Sequence, residues 1–171
     1  MACHSSESAF IQQWHEINNA FGNPSIDDNI KYKQCSGCIV QMKRTPETKD
    51  NEMRIGVKDK RYAKFRANKL MVLKIYNWME DRFEYSIPHA WGDVYIRYTV
   101  GEIVVPNGFC ENINDICAQG IHYFNSLFAA YCYRPNDLLT NSEDGRFFCV
   151  SPAQNNMWFA THFNQFNVKC I

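Results

Sequence analysis

Cys35-Ser36-Gly37-Cys38 is the most closely spaced cysteine pair in this 171-residue chain. Such a turn can offer two thiolates to zinc, but a closed structural site needs four ligands. The chain has no second CxxC; Cys110 and Cys117 stand apart from it, and the nearest histidine to those two is His122. Cys35 and Cys38 are therefore metal candidates without a full ligand set, and zinc is not expected. A redox role would place the pair at a helix start, whereas Ile39-Val40-Gln41-Met42 reads as extended chain. The five histidines, at positions 4, 15, 89, 122 and 162, show no metal-binding spacing. Neither HExxH nor GxSxG is present, and neither GxxxxGK[ST] nor GxGxxG occurs. The common metalloprotease, serine-hydrolase and nucleotide-phosphate motifs are thereby excluded.

A second kind of chemistry is suggested by charge. Lys58, Lys60, Arg61, Lys64, Arg66 and Lys69 form a basic segment in which Tyr62 and Phe65 are interleaved. Clustered cations bind phosphates, and aromatic rings stack on exposed bases, so nucleic-acid binding through residues 58–69 is one reading. The whole chain has 18 basic and 18 acidic residues, a net charge of zero. Residues 1–30 carry four acids and no Lys or Arg, whereas residues 31–70 hold twelve basic residues against four acidic ones. The basic middle could thus complement the acidic start of the same chain or of a neighbouring copy. Lys58, Lys60, Arg61 and Lys64 are the partner-contact candidates in this segment.

Few long helices are expected to position these groups. Phe10, Trp14, Ile17 and Phe21 are spaced four, three and four apart, one apolar stripe on a helix over about 6–21. Ser5 or Ser6 can cap it, and Gly22-Asn23-Pro24 stops it. The stripe either docks on the chain's own core or serves a protein partner as a short helical ligand. Residues 22–61 show little apolar periodicity apart from Cys38-Ile39-Val40, and 43–52 read as a polar loop. The expected division is a helix with a polar basic linker over 1–61 and a body over 62–171. In the body, 62–78 has partial period-two character, and Val94, Ile96 and Tyr98 alternate with Tyr95, Arg97 and Thr99. Ile103–Val105 is a short strand, and 117–124 is another, entered through Gly120. Asn125 or Ser126 then caps a helix carrying Leu127, Phe128, Ala130 and Tyr131, which Arg134-Pro135 closes. Glu143-Asp144-Gly145 signals a hairpin turn before 146–150, and 157–166 supplies a last strand. The expected fold is α+β: one compact domain of short antiparallel strands, with a helix after Gly-Ile-His-Tyr-Phe and an amphipathic helix in front.

Aromatic residues make up 15% of the chain, ample apolar payload for a core without staples. The start MACHSSESAF has no charged and apolar leader pattern, and no apolar run approaches the ~20 residues that span a bilayer. The eight cysteines are accordingly expected as free thiols in a reducing compartment.

Residues 65–133 resemble an uncharacterised domain associated with large double-stranded DNA viruses. The similarity is carried by Phe65-Arg66-Ala67-Asn68-Lys69, by Tyr98-Thr99-Val100-Gly101-Glu102 with Pro106 and Phe109, and by Cys117-Ala-Gln-Gly-Ile-His-Tyr-Phe124 with Ala129-Ala130-Tyr131. That resemblance implies a viral origin, with host cytoplasm or the virion as the location. Gly120-Ile121-His122-Tyr123-Phe124 followed by Ala130-Tyr131 is also similar, more distantly, to a segment of poly(ADP-ribose) polymerases. This second resemblance implies an NAD site in which Tyr131 stacks on nicotinamide, Gly120, His122 and Tyr123 line the ligand, and Arg66 stands for the first-strand Arg or His. It also requires a Glu on a later strand. The only acids after Tyr131 are Asp137, Glu143 and Asp144, all in turn or loop context. Without that carboxylate, transfer loses several kcal/mol of transition-state stabilisation.

The expectation is therefore a non-enzymatic structural or interaction protein of a large DNA virus, a minor capsid component among the options, with other viral structural proteins or itself as partner. The alternatives are a catalytically weak or inactive ADP-ribosyltransferase-like NAD binder, and a nucleic-acid-binding protein.

Overall fold

The computed structural model describes residues 3–22, 27–91 and 94–133. The turn at 143–145, the strands over 146–150 and 157–166 and the Arg134-Pro135 helix stop all lie outside the described residues. An N-terminal helix, α1 (Cys3–Ala20), is followed by strands β1 (Ile30–Cys35), β2 (Cys38–Lys43), β3 (Phe65–Ala67), β4 (Leu70–Asn77) and β5 (Arg82–Glu84). Next come β6 (Ser86–Trp91), β7 (Val94–Thr99), β8 (Ile103–Val104), β9 (Ile121–Tyr123) and a short helix α2 (Leu127–Cys132). The architecture is α+β, and its strand pairs are antiparallel.

The main sheet runs β1-β2-β4-β5, with β8 also paired to β4. β3 pairs with β9, and β6 with β7, as two further ribbons. A bridge between Tyr32 and Phe124 sets the end of β9 beside β1, with reciprocal backbone bonds of 2.8 Å. At Gln41/Met42 the β2–β4 register slips past Leu73, a bulge that turns the two halves of β4 differently.

The stretch 22–61, expected as a polar basic linker, instead supplies β1 and β2, so the sheet crosses the expected boundary at 61/62. The reason lies in β1, Ile30-Lys-Tyr-Lys-Gln-Cys35. Lys31, Lys33 and Cys35 pair with Met42, Val40 and Cys38 on the inner face, where no simple polar-out pattern would put lysines. The polar loop expected over 43–52 is present in the main, since β2 ends at Lys43. The expected strand over 117–124 shortens to Ile121–Tyr123.

One face of the sheet packs Val40, Met42, Leu70, Val72 and Ile75 against Phe65, Ala67, Ile121, Tyr123, Ile87, Ile96 and Tyr98 of the other strands. The opposite face carries Tyr32, Ile39 and Tyr76, which pack with Ile17 and Phe21 of α1 and with Leu127, Ala130 and Tyr131 of α2. Burying each large apolar side chain contributes roughly 1.5–3 kcal/mol. The α1 stripe thus docks on the chain's own core: Trp14 meets Phe128 edge-on at 4.9 Å, and Lys74 Nζ reaches the Ala20 carbonyl at 3.4 Å. α2 starts where expected, its Ser126 hydroxyl accepting from the Ala129 N–H at 3.0 Å.

Candidate functional site

The part of the surface with the most unusual construction is built on Arg66. In β3 the chain alternates, so Phe65 and Ala67 enter the core and Arg66 points to the other side, where it pairs across to His122. Its guanidinium, wholly buried, donates to the Asp115 carbonyl at 2.9 Å and to the carbonyls of Cys110 and Asn112, with Gln119 O at 3.5 Å. The Phe109 ring lies 5.2 Å from it. Five fixed donors in a planar fork suit this arrangement of carbonyls. The loop over 110–119 is therefore tied to one side chain. Gly120 lets it re-enter β9: its φ is +146°, and a Cβ there would sit 3.1 Å from Arg66 Cβ and 3.2 Å from Ala67 O.

Asn51 fastens a second loop to the first. Its amide oxygen accepts the Arg66 N–H at 2.9 Å and its amide nitrogen donates to Asp115 O at 3.4 Å. The Ile55 N–H then donates to Asn114 Oδ1 at 3.2 Å. Held in this way, the two loops leave Met53, Ile55, Ile113 and Ile116 at 78, 88, 42 and 46% exposure. These four apolar side chains thus stand open on two loops that the Asn51 and Ile55 hydrogen bonds join.

Next to Met53 lies a cavity of about 440 Å³, walled by the turn before β1, the 44–53 loop, Lys60-Arg61 and the start of α2. Glu52 belongs to its lining, and Lys31 Nζ lies 2.6 Å from its Oε1, which also accepts the Tyr123 hydroxyl at 2.8 Å. Lys31 spends its other protons on Asp28 O and Asn125 Oδ1, both at 2.7 Å. Burial alone would raise the Glu52 carboxyl, but Lys31, the Tyr123 hydroxyl and Arg44 overcome it and leave it below the usual carboxylate range. Burial and the Glu52 charge push Tyr123 far up, so its hydroxyl stays protonated.

The residues singled out from the sequence are mostly spent on internal contacts. Arg66 and Tyr131 are both wholly buried, Arg66 against carbonyls of the 110–119 loop and Tyr131 among the α1 and α2 residues; neither lines the cavity. Tyr131 donates to Gln13 Oε1 at 2.6 Å and stacks on Trp14 with ring centroids 6.0 Å apart. His122 Nε2 lies 2.9 Å from Ala118 O, and burial with nearby Lys64 and Lys33 pushes its imidazole down to about 4. Cys35 and Cys38 face each other across a two-residue turn whose Ser36 and Gly37 have φ of 51° and 74°, the hairpin type that needs left-handed residues. Burial raises their thiols to about 12 and about 11, which opposes the thiolate form that metals and oxidants need. Among the described residues, no group of three or more His, Cys, Asp or Glu is placed to hold a metal ion.

The basic segment is dispersed. Lys64, buried, directs its Nζ to Cys117 Sγ and the Tyr133 hydroxyl, both at 3.3 Å, and Arg61 pairs with Asp59 at 2.7 Å. Lys58 and Lys60 remain exposed. Trp14, Ile17 and Phe21 face the body of the same chain, while the Phe10 side chain lies outside the described residues. Sequence reasoning missed Lys31, Asn51, Glu52 and the four exposed apolar residues. Only lone apolar letters in polar runs, such as Ile55 and Ile113, could have signalled the loop pair.

Fold and site together define a small α+β domain with two stitched loops and a charged cavity beside them. Residues 18–130, well over half of the chain, match a family of unknown function, DUF5758, and the chain belongs to that family. No curated protein and no solved structure matches it significantly. Among the described residues no helix is long and apolar enough to cross a membrane.

Proposed function

We propose that this chain is a non-enzymatic interaction module whose contact surface is the stitched loop pair. The observation that carries the reading is the exposure of Met53, Ile55, Ile113 and Ile116 on loops that Arg66 and Asn51 hold in place. A surface fixed before contact loses little conformational entropy when a partner covers it, so a few aliphatic side chains can anchor a protein contact. Supporting it, the groups best suited to chemistry are engaged elsewhere: Arg66 on carbonyls, Tyr131 on Gln13, His122 near Ala118 O. A place in the particle of a large DNA virus, with other structural proteins as partners, rests on the resemblance of residues 65–133.

The test places a photo-crosslinking residue at position 113 of the full chain, in the cells where it is made, and carries Ile55→Asp and Ile116→Asp as a paired variant. A discrete protein adduct, with a partner or with a second copy of the chain, should form and should vanish in the paired variant. Both sites are exposed, so melting should move by no more than about 0.5 kcal/mol. An adduct unaffected by the two aspartates, or none at all, would overturn the reading.

A further inference from the structure

The cavity beside the loop pair has a charge pattern that the interaction reading does not use. Its lining holds carboxylates on Asp27, Asp28, Asp50 and Glu52 and cations on Arg44, Lys60 and Arg61. Most of these neutralise one another or a neighbour. Arg44 pairs with Asp50 at 2.7 Å, Arg61 with Asp59 at 2.7 Å and Lys31 with Glu52 at 2.6 Å. What remains sits on two different walls. On the turn before β1, Asp27 takes one backbone N–H, from Asn29 at 2.8 Å, and the Asp28 carboxylate has no partner among the described residues. On another stretch of the lining, Lys60 has one described contact, the Met53 thioether at 3.9 Å, which cannot balance an ammonium charge. Ile30, Met53 and Leu127 give the space between them an apolar wall.

We propose that this cavity binds a basic zwitterion of amino-acid size. Its cationic end lies against Asp27 and Asp28, its carboxylate against Lys60, and its methylene stem against Ile30, Met53 and Leu127. The two positive charges and one negative charge of such a ligand are opposite in total to those of Asp27, Asp28 and Lys60, and about 440 Å³ accommodates a molecule of that size. Two uncompensated carboxylates to one ammonium in the lining favour a ligand with an extra positive group over a neutral amino acid. The internally paired charges make the frame: Glu52 and Asp50 are held by Lys31 and Arg44 and so keep the walls in position without being consumed by the ligand.

The experiment is calorimetric titration of the full chain with L-arginine, with agmatine, which lacks the carboxylate, and with L-leucine, which lacks the side-chain cation. L-arginine should saturate the site and L-leucine should bind at least about tenfold more weakly, the size of one lost charge contact. Asp28→Asn with Asp27→Asn should weaken L-arginine and agmatine alike. Lys60→Met should weaken L-arginine by about tenfold and should not weaken agmatine, because only L-arginine carries the carboxylate that Lys60 meets. The altered side chains are exposed, and unchanged melting certifies the fold. Absence of saturation, or equal loss of L-arginine and agmatine on Lys60→Met, overturns the proposal. The Ile55→Asp, Ile116→Asp variant should bind L-arginine as the parent does, so the loop pair and the cavity stand or fall separately.

Discussion

Lys31 on β1 and Arg66 on β3 are both wholly buried cations, and they are satisfied in different ways. Lys31 meets a carboxylate, Glu52, together with one carbonyl and one amide oxygen. Arg66 has peptide carbonyls for acceptors, all in the 110–119 loop. A carbonyl does not titrate, so the Arg66 region is held by geometry that acid leaves intact. The Lys31 region is held by a charge that acid can remove. The two also differ in reach: Lys31 joins the turn before β1, the 44–53 loop and the start of α2, whereas Arg66 organises one loop and, through Asn51, the tip of another. The lesson is that a buried cation without a carboxylate can serve as a template for a loop, at the cost of needing a residue with a planar fork of donors.

The sharpest way to break this comparison is to remove the fork. Arg66→Met keeps much of the side-chain volume and strips every donor from the loop carbonyls. A loss of about 3–5 kcal/mol is expected, the range for removing one partner of a buried charged network. Hydrogen exchange should speed up over 110–119 and at Ile55 before it does in β2 or β4. Arg66→Lys should recover only a small part, because one ammonium cannot span carbonyls of Cys110, Asn112 and Asp115 together. Uniform loosening of the whole chain would mean that Arg66 supports the core rather than the loops.

Next in size is Glu52→Gln, with an expected cost of about 2–3 kcal/mol, since Lys31 keeps two neutral oxygens but loses its counter-charge. This change also isolates the acid response. The Glu52 carboxyl is depressed in the folded chain, so its contribution is complete above the unfolded value of about 4.3 and is lost as pH falls through the lower folded value. His122 and His89 act in a higher window. Burial, with Lys64 and Lys33 near His122 and Lys33 near His89, pushes both down to about 4. Stability from the neutral rings is complete above about 6.5 and declines as pH drops toward 4. Melting followed against pH should therefore fall in two stages, with His122→Asn flattening the upper stage and Glu52→Gln the lower. Glu52→Gln flattening the upper stage instead would mean that the carboxyl and imidazoles titrate together.

How far these regions could be read from the sequence differs for the same physical reason. The four-three-four spacing of Phe10, Trp14, Ile17 and Phe21 announces α1, because a helix repeats its own contacts locally. Ser126 announces α2 in the same way, and the alternation of Val94, Ile96 and Tyr98 announces β7. β1 stays hidden because Lys31 and Lys33 occupy inward positions, and what makes Lys31 tolerable there is Glu52, a residue of a different loop. Arg66 is conspicuous as a basic residue, but its partners lie 44 to 53 positions away. No local pattern encodes which carbonyls it will meet. The loop pair and the cavity are both assembled by contacts of that long-range kind, which is why their apolar and charged residues look like ordinary loop composition.

Tyr131→Phe is the smallest and most discriminating change. On the α1 side of the sheet the ring is gripped by packing, stacked on Trp14 and edge-on to Trp78 at 6.1 Å, while its hydroxyl reaches Gln13. Removing the hydroxyl leaves the ring contacts in place, and Gln13, half-buried, can turn its freed oxygen toward water. The expected cost is about 1 kcal/mol, a melting shift of roughly 2–4 °C for a chain of this size. Gln13→Ala should cost about the same, and the double variant no more than either alone, because both remove one hydrogen bond. Such coupling would show that the Tyr131–Gln13 hydrogen bond pins the ring packing between α1 and α2. That is the opposite balance to Arg66, where polar contacts do nearly all of the fastening. A Tyr131→Phe loss as large as that of Glu52→Gln would instead make this hydroxyl a structural anchor of the same rank as the buried charges, and the contrast between the packed helix side and the hydrogen-bonded loop side would collapse.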